Sequence, residues 1–269
     1  MISFPPCKIN LGLHVVSKRP DGYHNIETCF YLIPWADILE IIPSDVLAFS
    51  NSGISIPGRQ EENLCLKAYE LLRKNFDLKP VKIHLHKVIP MGAGLGGGSS
   101  NAPHTLRILN TIFNLQLKYD QLRQYASQLG SDCAFFIEDK PMIGSGRGEV
   151  LEKVEVNLKG KFIILVKPDI HVSTAEAYAG VKPSNGSNRI RDVVGNSDLT
   201  KWKDSLQNDF EDSVFKKYPV IGEVKEKLYQ HGATYASMSG SGSAVYGIFE
   251  KPVELTNQFS GMGYWSGTL

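Results

Sequence analysis

Hydrophobic and polar residues alternate along two stretches in the N-terminal half of the chain. These are CKINLGLHVV, which begins at Cys7, and VKIHLH, which begins at Val81. A period of two is typical of a strand with one buried face, so the pattern predicts two strands. In the first strand, Lys8 and Asn10 share the polar face with Gly12. That face is either a ligand site or the solvated side of an edge strand, and the pattern alone does not decide between them.

A helical period follows the second of these strands. Apolar residues recur at spacings of three and four positions, as they do on the buried face of a helix. Ser99 or Ser100 is placed to cap this helix, and Pro103 then falls in its first turn. The periodic residues are Leu106, Leu109, Ile112, Phe113 and Leu117.

The C-terminal half is predicted to hold both strands and helices. KFIILV is typical of a buried strand, and Ser173 and Glu176 form a capping box that opens a short helix with Tyr178. A longer helix is predicted over residues 220–228. Two strands flank a turn of small residues at 239–243, which either supplies N–H donors to a phosphate or simply joins a hairpin.

The strand at VKIHLH and the helix after it are joined by PMGAGLGGGSS, a stretch with five glycines and two serines. Glycine admits unusual backbone conformations and the close approach of a ligand, and the N–H groups at the start of a helix favour an anion. We therefore predict that this loop binds phosphate, with a plain structural turn as the alternative. The predicted phosphate-binding residues are Pro90, Met91, Gly92, Ala93, Gly94, Leu95, Gly96, Gly97, Gly98, Ser99 and Ser100.

Two known phosphate-binding motifs can be compared with this loop. Walker A requires a lysine directly after its last glycine, and here Gly98 is followed by serine. Gly92, Gly94 and Gly97 fit the G-x-G-x-x-G fingerprint of a dinucleotide-binding oxidoreductase. The acidic residue expected about 20 positions later is missing, because the chain there still continues the predicted helix. The oxidoreductase is therefore the weaker alternative.

RPDGYHNI combines a turn with an aromatic pair. Asp21 and Gly22 predict a tight turn, and Tyr23 and His24 follow it directly. An aromatic ring at a loop tip can stack on a nucleobase, and a histidine beside it can read the edge of that base. A half-buried tyrosine next to an ordinary turn is the alternative.

QLGSDCAFFIED combines a helix end with an acidic residue. A helix over residues 119–129 is predicted to end at Gly130, and Asp132 then precedes an apolar run. Asp132 is either the cap of the next helix or, close to a phosphate site, the base that accepts a proton from a substrate hydroxyl.

Composition narrows the class of protein. The chain has 269 residues, of which 42% are hydrophobic, and a net charge of +1. This charge gives no basic face for nucleic acid, so a non-catalytic RNA-binding module is disfavoured. No apolar run approaches the roughly 18 residues that span a membrane, and the first residues lack the apolar core of a signal peptide. We therefore expect a cytoplasmic protein.

Cysteine and histidine spacing gives no metal site. His84 and His86 share one face of the second strand, but no third ligand is evident, and a solvated strand face is the preferred interpretation. The cysteines lack C-x-x-C spacing and are few for a disulfide framework, so we expect them to be reduced and mostly buried. They are Cys7, Cys29, Cys65 and Cys133.

Three motifs resemble those of the GHMP small-molecule kinases: the N-terminal lysine strand, PMGAGLGGGSS and SMSGSGSAV, in this order. The resemblance runs over nearly the whole chain, from CKINLGL to AVYGIF. RPDGYH, GSDCAFF and NDFE (residues 208–211) resemble in particular the member that phosphorylates the 2-hydroxyl of a diphosphocytidyl methylerythritol on the non-mevalonate route to isoprenoids. RPDGYH is the most discriminating of the three. A family member of the mevalonate or homoserine kinase type is the alternative.

The resemblance implies a role for each candidate residue. The glycine loop would hold the phosphates of ATP, which would be bound together with Mg²⁺. Lys8 and Asp132 would be the catalytic pair, in which Asp132 accepts the proton of the 2-hydroxyl and Lys8 keeps Asp132 ionised. The cytosine ring would stack on Tyr23. The residues implied to bind the small-molecule substrate are Asn10, Tyr23, His24 and Tyr178.

The resemblance also implies an α+β fold of two domains with the active site in the cleft between them. The N-terminal domain would span residues 1–154 and the C-terminal domain residues 155–269. We expect no nucleic-acid or membrane partner, and a monomer or a weak homodimer. The chain departs from the family pattern at Pro103, where a small residue is usual. Residues 182–198 carry no clear motif, and their polarity predicts a mobile loop.

Overall fold

The computed structural model describes residues 1–183 and 189–269, in which helices and strands alternate irregularly along the chain. The strands are β1 (Ile2–Ser3), β2 (Pro6–Lys18), β3 (His24–Ala36), β4 (Ile38–Pro43), β5 (Ala48–Gly53), β6 (Val81–Lys87), β7 (Met142–Ser145), β8 (Val150–Lys153), β9 (Phe162–Lys167), β10 (Tyr235–Met238), β11 (Val245–Phe249) and β12 (Gly263–Thr268). The helices are α1 (Leu64–Arg73), α2 (Gly97–Ile112), α3 (Tyr119–Leu129), α4 (Phe135–Glu138), α5 (Thr174–Gly180), α6 (Ile190–Asn196), α7 (Trp202–Ser205), α8 (Glu211–Lys217) and α9 (Pro219–Gln230). Short 3₁₀ helices lie at Gln60–Glu62, Leu199–Lys201 and Thr256–Phe259.

The chain forms two compact units, and neither is continuous in sequence. The first unit comprises Met1–Cys7, Trp35–Met91 and Gly96–Asp139. The second unit comprises Lys8–Pro34, Gly92–Leu95 and Lys140–Leu269. The α+β class is confirmed, whereas the division of the family domains near residue 154 stays a prediction.

The first unit contains a four-stranded sheet in the order β1-β4-β6-β5. Strand β6 pairs antiparallel with β4 and parallel with β5. The predicted alternation is confirmed, because Val81, Ile83 and Leu85 of β6 are buried. These residues share one hydrophobic core with apolar residues of α1, α2 and α3, so the helices cover one face of the sheet.

Helix α2 begins earlier than the sequence predicted. Its N-cap is Gly96, whose φ of 68° lies in the left-handed region that favours glycine. The prediction that Ser99 or Ser100 caps the helix is therefore wrong, since both serines lie inside it, and Pro103 lies beyond the first turn. The helix also ends at Ile112, before the last periodic residues of the predicted span. The glycine loop thus provides the helix start itself.

The second unit contains two further sheets. One sheet has the order β2-β3-β7-β8, and the other has the order β10-β11-β9-β12. The first residues of β2 and the last residues of β3 belong to the first unit. The predicted buried strand is confirmed at β9, where residues 163–166 are all buried. Apolar residues of β9, β10, β11, α8 and α9 share one core.

Several helix predictions are confirmed and one loop prediction needs correction. Helices α3 and α9 occupy the predicted positions. The Ser173 hydroxyl caps α5 by accepting from the Glu176 N–H, but the reciprocal half of the predicted capping box is not formed, because the Glu176 carboxylate accepts from the Tyr218 hydroxyl and pairs with Lys217. Within residues 182–198, however, Ile190–Asn196 forms helix α6, because Ile190, Val193 and Val194 recur at helical spacing and are buried. Residues 184–188 lie outside the described residues. Among the described residues, no helix has the length and apolar character needed to cross a bilayer.

Candidate active site

Lys8 and Asn10 lie on β2 and are both buried, with Lys8 only 4% exposed and Asn10 2% exposed. The alternative in which this face is the solvated side of an edge strand is therefore wrong. A buried charge needs hydrogen-bond partners to offset the loss of water. The Lys8 ammonium donates to Asn10 Oδ1 at 2.6 Å and to the Gly94 carbonyl oxygen at 2.9 Å. The lysine strand and the glycine loop therefore meet at Lys8.

The Asn10 side chain has both ends of its amide engaged. Its oxygen accepts from Lys8, and its Nδ2 donates to the Thr28 hydroxyl at 2.9 Å. The Thr28 hydroxyl in turn donates to the Gly12 carbonyl at 2.6 Å. This chain of bonds fixes the amide with its oxygen toward Lys8. Asn10 therefore positions Lys8, and a direct contact of Asn10 with substrate stays a prediction.

Gly94 is the point at which the glycine loop packs on the turn at residues 239–243. Its carbonyl accepts from the Ser239 hydroxyl at 2.9 Å as well as from Lys8. Its φ is +78°, and a Cβ at this position would run into the Ser239 carbonyl. Ala93 adds a backbone bond by accepting from the Ala244 N–H at 3.1 Å. Glycine is therefore required at residue 94 for both conformational and steric reasons.

The turn at residues 239–243 joins β10 to β11 as an antiparallel hairpin, which confirms the two flanking strands. The sequence left open whether this turn binds phosphate or only joins the strands. The structure gives it a third role, because Ser239 and Ala244 hold the glycine loop. The sequence did not single out this contact, since the two loops are 145 residues apart.

The NDFE motif stabilises the same hairpin from its other side. Asn208 Nδ2 donates to the carbonyl oxygens of Met238 and Gly240, both at 2.8 Å. The Glu211 carboxylate accepts from the Met238 N–H at 2.8 Å and from the Ser237 hydroxyl at 2.9 Å. All these groups are buried, so the bonds satisfy polar atoms that water does not reach. NDFE therefore fixes the turn at residues 239–243, which holds Gly94 in place.

Residues 96–100 of the glycine loop belong to the first unit and form the N-cap and the start of α2. The Gly96 carbonyl accepts from the Ser100 N–H at 2.9 Å, whereas the first N–H groups of a helix have no partner inside it. Apart from its chain neighbours and the nearby backbone of its own helix, no described atom lies within 4 Å of a Cβ added to Gly98. The helix start is therefore open at Gly98, and its N–H groups and dipole suit an anion.

Asp132 lies in the first unit, in the turn between α3 and α4. The N-cap of α4 is Ala134, so the alternative in which Asp132 caps that helix is wrong. Its neighbour Cys133 is buried, and burial raises the pKa of the Cys133 thiol to about 12, with the Asp132 charge adding to the shift. A hydrogen bond with the Ser99 side chain acts in the opposite direction on that pKa. The turn that carries Asp132 therefore lies beside the start of α2.

A buried ion pair supports the strand that leads into the glycine loop. Lys87 Nζ lies 2.5 Å from Asp37 Oδ2, and Asp37 Oδ1 accepts from the N–H groups of Val88 and Ile89 at 2.8 Å. Burial lowers the pKa of Lys87, and the charge of Asp37 opposes that shift. A Cβ on Gly97 would lie 2.9 Å from Lys87 Nζ. Sequence reasoning missed this pair, because Asp37, between β3 and β4, and Lys87, at the end of β6, are 50 residues apart in the chain.

The turn in RPDGYH is formed as predicted. Gly22 has a φ of +85° and donates to the Arg19 carbonyl, and the Asp21 carboxylate accepts from the Tyr23 N–H at 3.1 Å. Tyr23 is 57% exposed, so the alternative of an ordinary half-buried tyrosine is wrong. The guanidinium carbon of Arg147 lies 5.1 Å from the centre of the Tyr23 ring. Tyr23 is thus an exposed ring with one face occupied.

His24 and Tyr178 are brought together in the second unit. Their ring centroids are 4.7 Å apart with an angle of 15° between the planes, and Tyr178 makes an edge contact with Phe210. Because 4.7 Å is a single stacking distance, no base fits between these two rings in this arrangement. The role of Tyr178 as a second ring for the substrate stays a prediction.

The remaining candidates for metal or redox chemistry have simpler explanations. His84 and His86 bond to the hydroxyls of Ser50 and Ser52 on the neighbouring strand. No group of three or more His, Cys, Asp or Glu suited to a metal occurs among the described residues. All four cysteines are buried, which agrees with the prediction that most of them are.

Lys8 belongs to the second unit and Asp132 to the first. That these two residues act as a pair stays a prediction. The structure does bring Lys8, Asn10 and Gly94 together in one unit, and Asp132 near the start of α2 in the other.

Comparison with known proteins agrees with this geometry. The model of the GHMP kinases N-terminal domain matches residues 63–140, and that of the GHMP kinases C-terminal domain matches residues 191–262. A 4-diphosphocytidyl-2-C-methyl-D-erythritol kinase of Cytophaga hutchinsonii is 54% identical over 94% of each chain. A kinase of the same name from Parabacteroides distasonis is 48% identical over the full length of both.

Comparison with solved structures points to the same family of kinases. A crystal structure of 4-(cytidine 5'-diphospho)-2C-methyl-D-erythritol kinase superposes with a TM-score of 0.84 and 29% identity, and the match covers 100% of this chain and 98% of that one. A dinucleotide-binding oxidoreductase is excluded as an alternative, because both matching domains and the full-length relatives are kinases. The chain belongs to the GHMP kinase family.

Proposed function

We propose that this chain transfers the γ-phosphoryl group of ATP to the 2-hydroxyl of 4-diphosphocytidyl-2-C-methyl-D-erythritol. The observation that carries the proposal is the position of Lys8, a buried cation bonded to the Gly94 carbonyl of the glycine loop. The identity of the alcohol is supported by the names of relatives at 54% and 48% identity. The exposed aromatic ring of Tyr23 in RPDGYH is consistent with a substrate that carries a nucleobase.

The glycine loop and the start of α2 would bind the ATP phosphates. Gly98 supports this role, since no described atom outside its own helix backbone and its chain neighbours lies within 4 Å of a Cβ placed there. Unpaired N–H groups at a helix start stabilise phosphate through hydrogen bonds and through the helix dipole. The Asp37–Lys87 ion pair would hold the loop in place before ATP binds, because it anchors the N–H groups of Val88 and Ile89.

In the proposed reaction, Asp132 accepts the proton of the 2-hydroxyl while the hydroxyl oxygen attacks the γ-phosphorus of ATP. The bond from the γ-phosphorus to the bridging oxygen breaks, and ADP leaves with that oxygen. Lys8 offers a fixed positive charge to stabilise the negative charge of the transferring group and to keep Asp132 ionised. Phosphoryl transfer depends mainly on such positioning and charge stabilisation, so no covalent intermediate with the protein is required.

Mg²⁺, when bound with ATP, would neutralise the charge that develops on the phosphates. Mg²⁺ is commonly held by substrate phosphates and one or two protein oxygens, which fits a chain without a larger ligand cluster among its described residues. Ser100 Oγ is a candidate ligand at the start of α2, because it is buried and has no hydrogen-bond partner among the described residues. A cytoplasmic location, where ATP is available, belongs to the same proposal, and a monomer or weak homodimer stays a prediction.

The experiment that tests the proposed substrate is a competition among alcohols. 4-Diphosphocytidyl-2-C-methyl-D-erythritol, mevalonate, homoserine and galactose are offered at equal concentration with ATP and Mg²⁺, and ADP release and phosphorylated products are measured. We expect turnover of the cytidyl compound and background rates for the other three. Preferred turnover of mevalonate or homoserine would contradict the substrate assignment and favour the alternative within the family.

A further inference from the structure

Arg147 is a cation close to Tyr23, and the proposed reaction assigns it no role. Arg147 lies in the turn between β7 and β8, and its guanidinium carbon is 5.1 Å from the centre of the Tyr23 ring. This distance is within the range of a cation–π contact. One face of the exposed ring is therefore occupied by a positive charge, and a base can stack on the other.

The backbone around Arg147 is held in place from both sides. The Gly146 carbonyl accepts from the Ile26 N–H on β3 at 2.7 Å, so the turn is bonded to the strand that follows RPDGYH. The Arg147 N–H donates to Glu149 Oε2 at 2.5 Å, and Gly146 and Gly148 have φ of +68° and +106°. A fixed turn of this kind presents the exposed Arg147 side chain at a defined place beside Tyr23.

The Arg147 guanidinium keeps most of its hydrogen-bonding capacity. Its Nε lies 3.5 Å from Glu149 Oε1, which is a long contact for an ion pair. None of the described residues accepts a hydrogen bond from its two terminal nitrogens. Arg19, the other arginine near this turn, differs in that its Nε and Nη atoms donate to Asp21 and Asn25. Arg147 is therefore the available cation at the tip.

We propose that Arg147 determines specificity for a nucleoside diphosphate by donating its terminal N–H groups to the phosphate next to the base that stacks on Tyr23. The inference rests on the proposed function, because it assumes that the alcohol substrate carries a nucleotide. An aromatic ring and a planar guanidinium together match the two parts of a nucleotide, the flat base and the anionic phosphate. Arg147 would bind and orient the substrate and take no part in the chemical step.

The test uses cytidine and cytidine 5'-diphosphate as binding probes, measured by calorimetry with the wild-type protein and Arg147→Ala. A phosphate contact predicts that the variant loses about 10- to 100-fold in affinity for the diphosphate, as expected for charge-assisted hydrogen bonds, and little for cytidine. Arg147→Lys should recover part of that loss, because it keeps the charge but not the fork of donors. The KM for the alcohol substrate should rise with the loss of diphosphate affinity, while kcat and the KM for ATP stay close to wild type.

Arg59→Ala is the matched control, since Arg59 is also an exposed arginine paired with a nearby glutamate, and it should leave all these values unchanged. An equal loss of affinity for cytidine and for cytidine diphosphate in Arg147→Ala would overturn the proposed phosphate contact, because Arg147 would then only support the Tyr23 ring. Unchanged affinity for both probes in a variant that still turns over the cytidyl alcohol would also overturn the inference, but not the proposed function. A wild-type protein that binds neither probe and does not phosphorylate the cytidyl alcohol would overturn both.

Discussion

Lys8 and Tyr23 lie in the same compact unit, yet Lys8 is 4% exposed and Tyr23 is 57% exposed. The Lys8 ammonium is held by Asn10 and by the Gly94 carbonyl, and Gly94 is held in turn by Ser239. Tyr23 follows a turn held by Asp21, and its exposed ring contacts the Arg147 guanidinium. The difference separates two tasks: a reacting group must be fixed before the substrate arrives, whereas a recognition group must stay accessible.

Loss of the buried cation should have the largest effect. Lys8→Met should lower kcat by about 10²- to 10⁴-fold, and Asp132→Asn should do the same if Asp132 is the base. Because the two residues are proposed to act together in the same catalytic step, the double variant should be little slower than either single variant. Single-turnover kinetics and ATP binding by calorimetry check this. Losses that multiply in the double variant would contradict the proposed coupling.

Loss of the contact that holds the glycine loop should have the second largest effect. Gly94→Ala places a side chain against the Ser239 carbonyl and in a left-handed backbone conformation. We expect it to lower the free energy of unfolding by more than about 2 kcal/mol and to reduce activity strongly, since it displaces the carbonyl that holds Lys8.

Gly160→Ala is the matched control for the change at Gly94, since Gly160 has nearly the same φ of +79° and, apart from its chain neighbours, no described atom lies within 4 Å of the added Cβ. It should lower the free energy of unfolding by only about 1 to 2 kcal/mol and keep wild-type kcat. Denaturant titrations and steady-state kinetics of both variants measure these effects. Equal effects of the two substitutions on stability and on kcat would show that the Ser239 contact is unimportant.

A smaller effect is expected at the exposed ring. Stacking of a base on an aromatic side chain contributes about 1 to 3 kcal/mol, so Tyr23→Ala should raise the KM for the cytidyl substrate by about 5- to 150-fold. Tyr23→Phe keeps the ring and should stay close to wild type. The KM for ATP should not change in either variant. An unchanged KM for the alcohol in Tyr23→Ala would contradict the proposal that the base stacks on this ring.

The same contrast explains what the sequence predicts well. Periodicity located β6 and α9, a continuous apolar run located β9, and a C-terminal glycine located the end of α3, because these local signals determine the elements. The strand-to-helix glycine loop and the turn at Asp21 and Gly22 also follow from short motifs, whereas the functional roles of Lys8, Asp132 and Tyr23 stay predictions. Tyr23 is indeed exposed, and Lys8 indeed contacts the glycine loop.

Other features depended on contacts between distant parts of the chain. Lys8 and Gly94 are 86 residues apart and Gly94 and Ser239 are 145 residues apart, so the burial of Lys8 could not be derived from the alternation of β2. Helix α2 was predicted to start at the serines because side-chain caps are readable in a sequence, whereas the left-handed backbone of Gly96 is not. Arg147 was missed for the same reason, since only the fold brings it to Tyr23.

The most direct test of the account is the identity of the product. ³¹P NMR of the reaction of ATP with 4-diphosphocytidyl-2-C-methyl-D-erythritol shows which oxygen receives the phosphate, while ADP is measured in parallel. We expect one new phosphomonoester on the 2-hydroxyl oxygen, formed in a one-to-one ratio with ADP, and formed about 10²- to 10⁴-fold more slowly by Lys8→Met. Phosphate on another hydroxyl, or release of ADP without a phosphorylated alcohol, would contradict it.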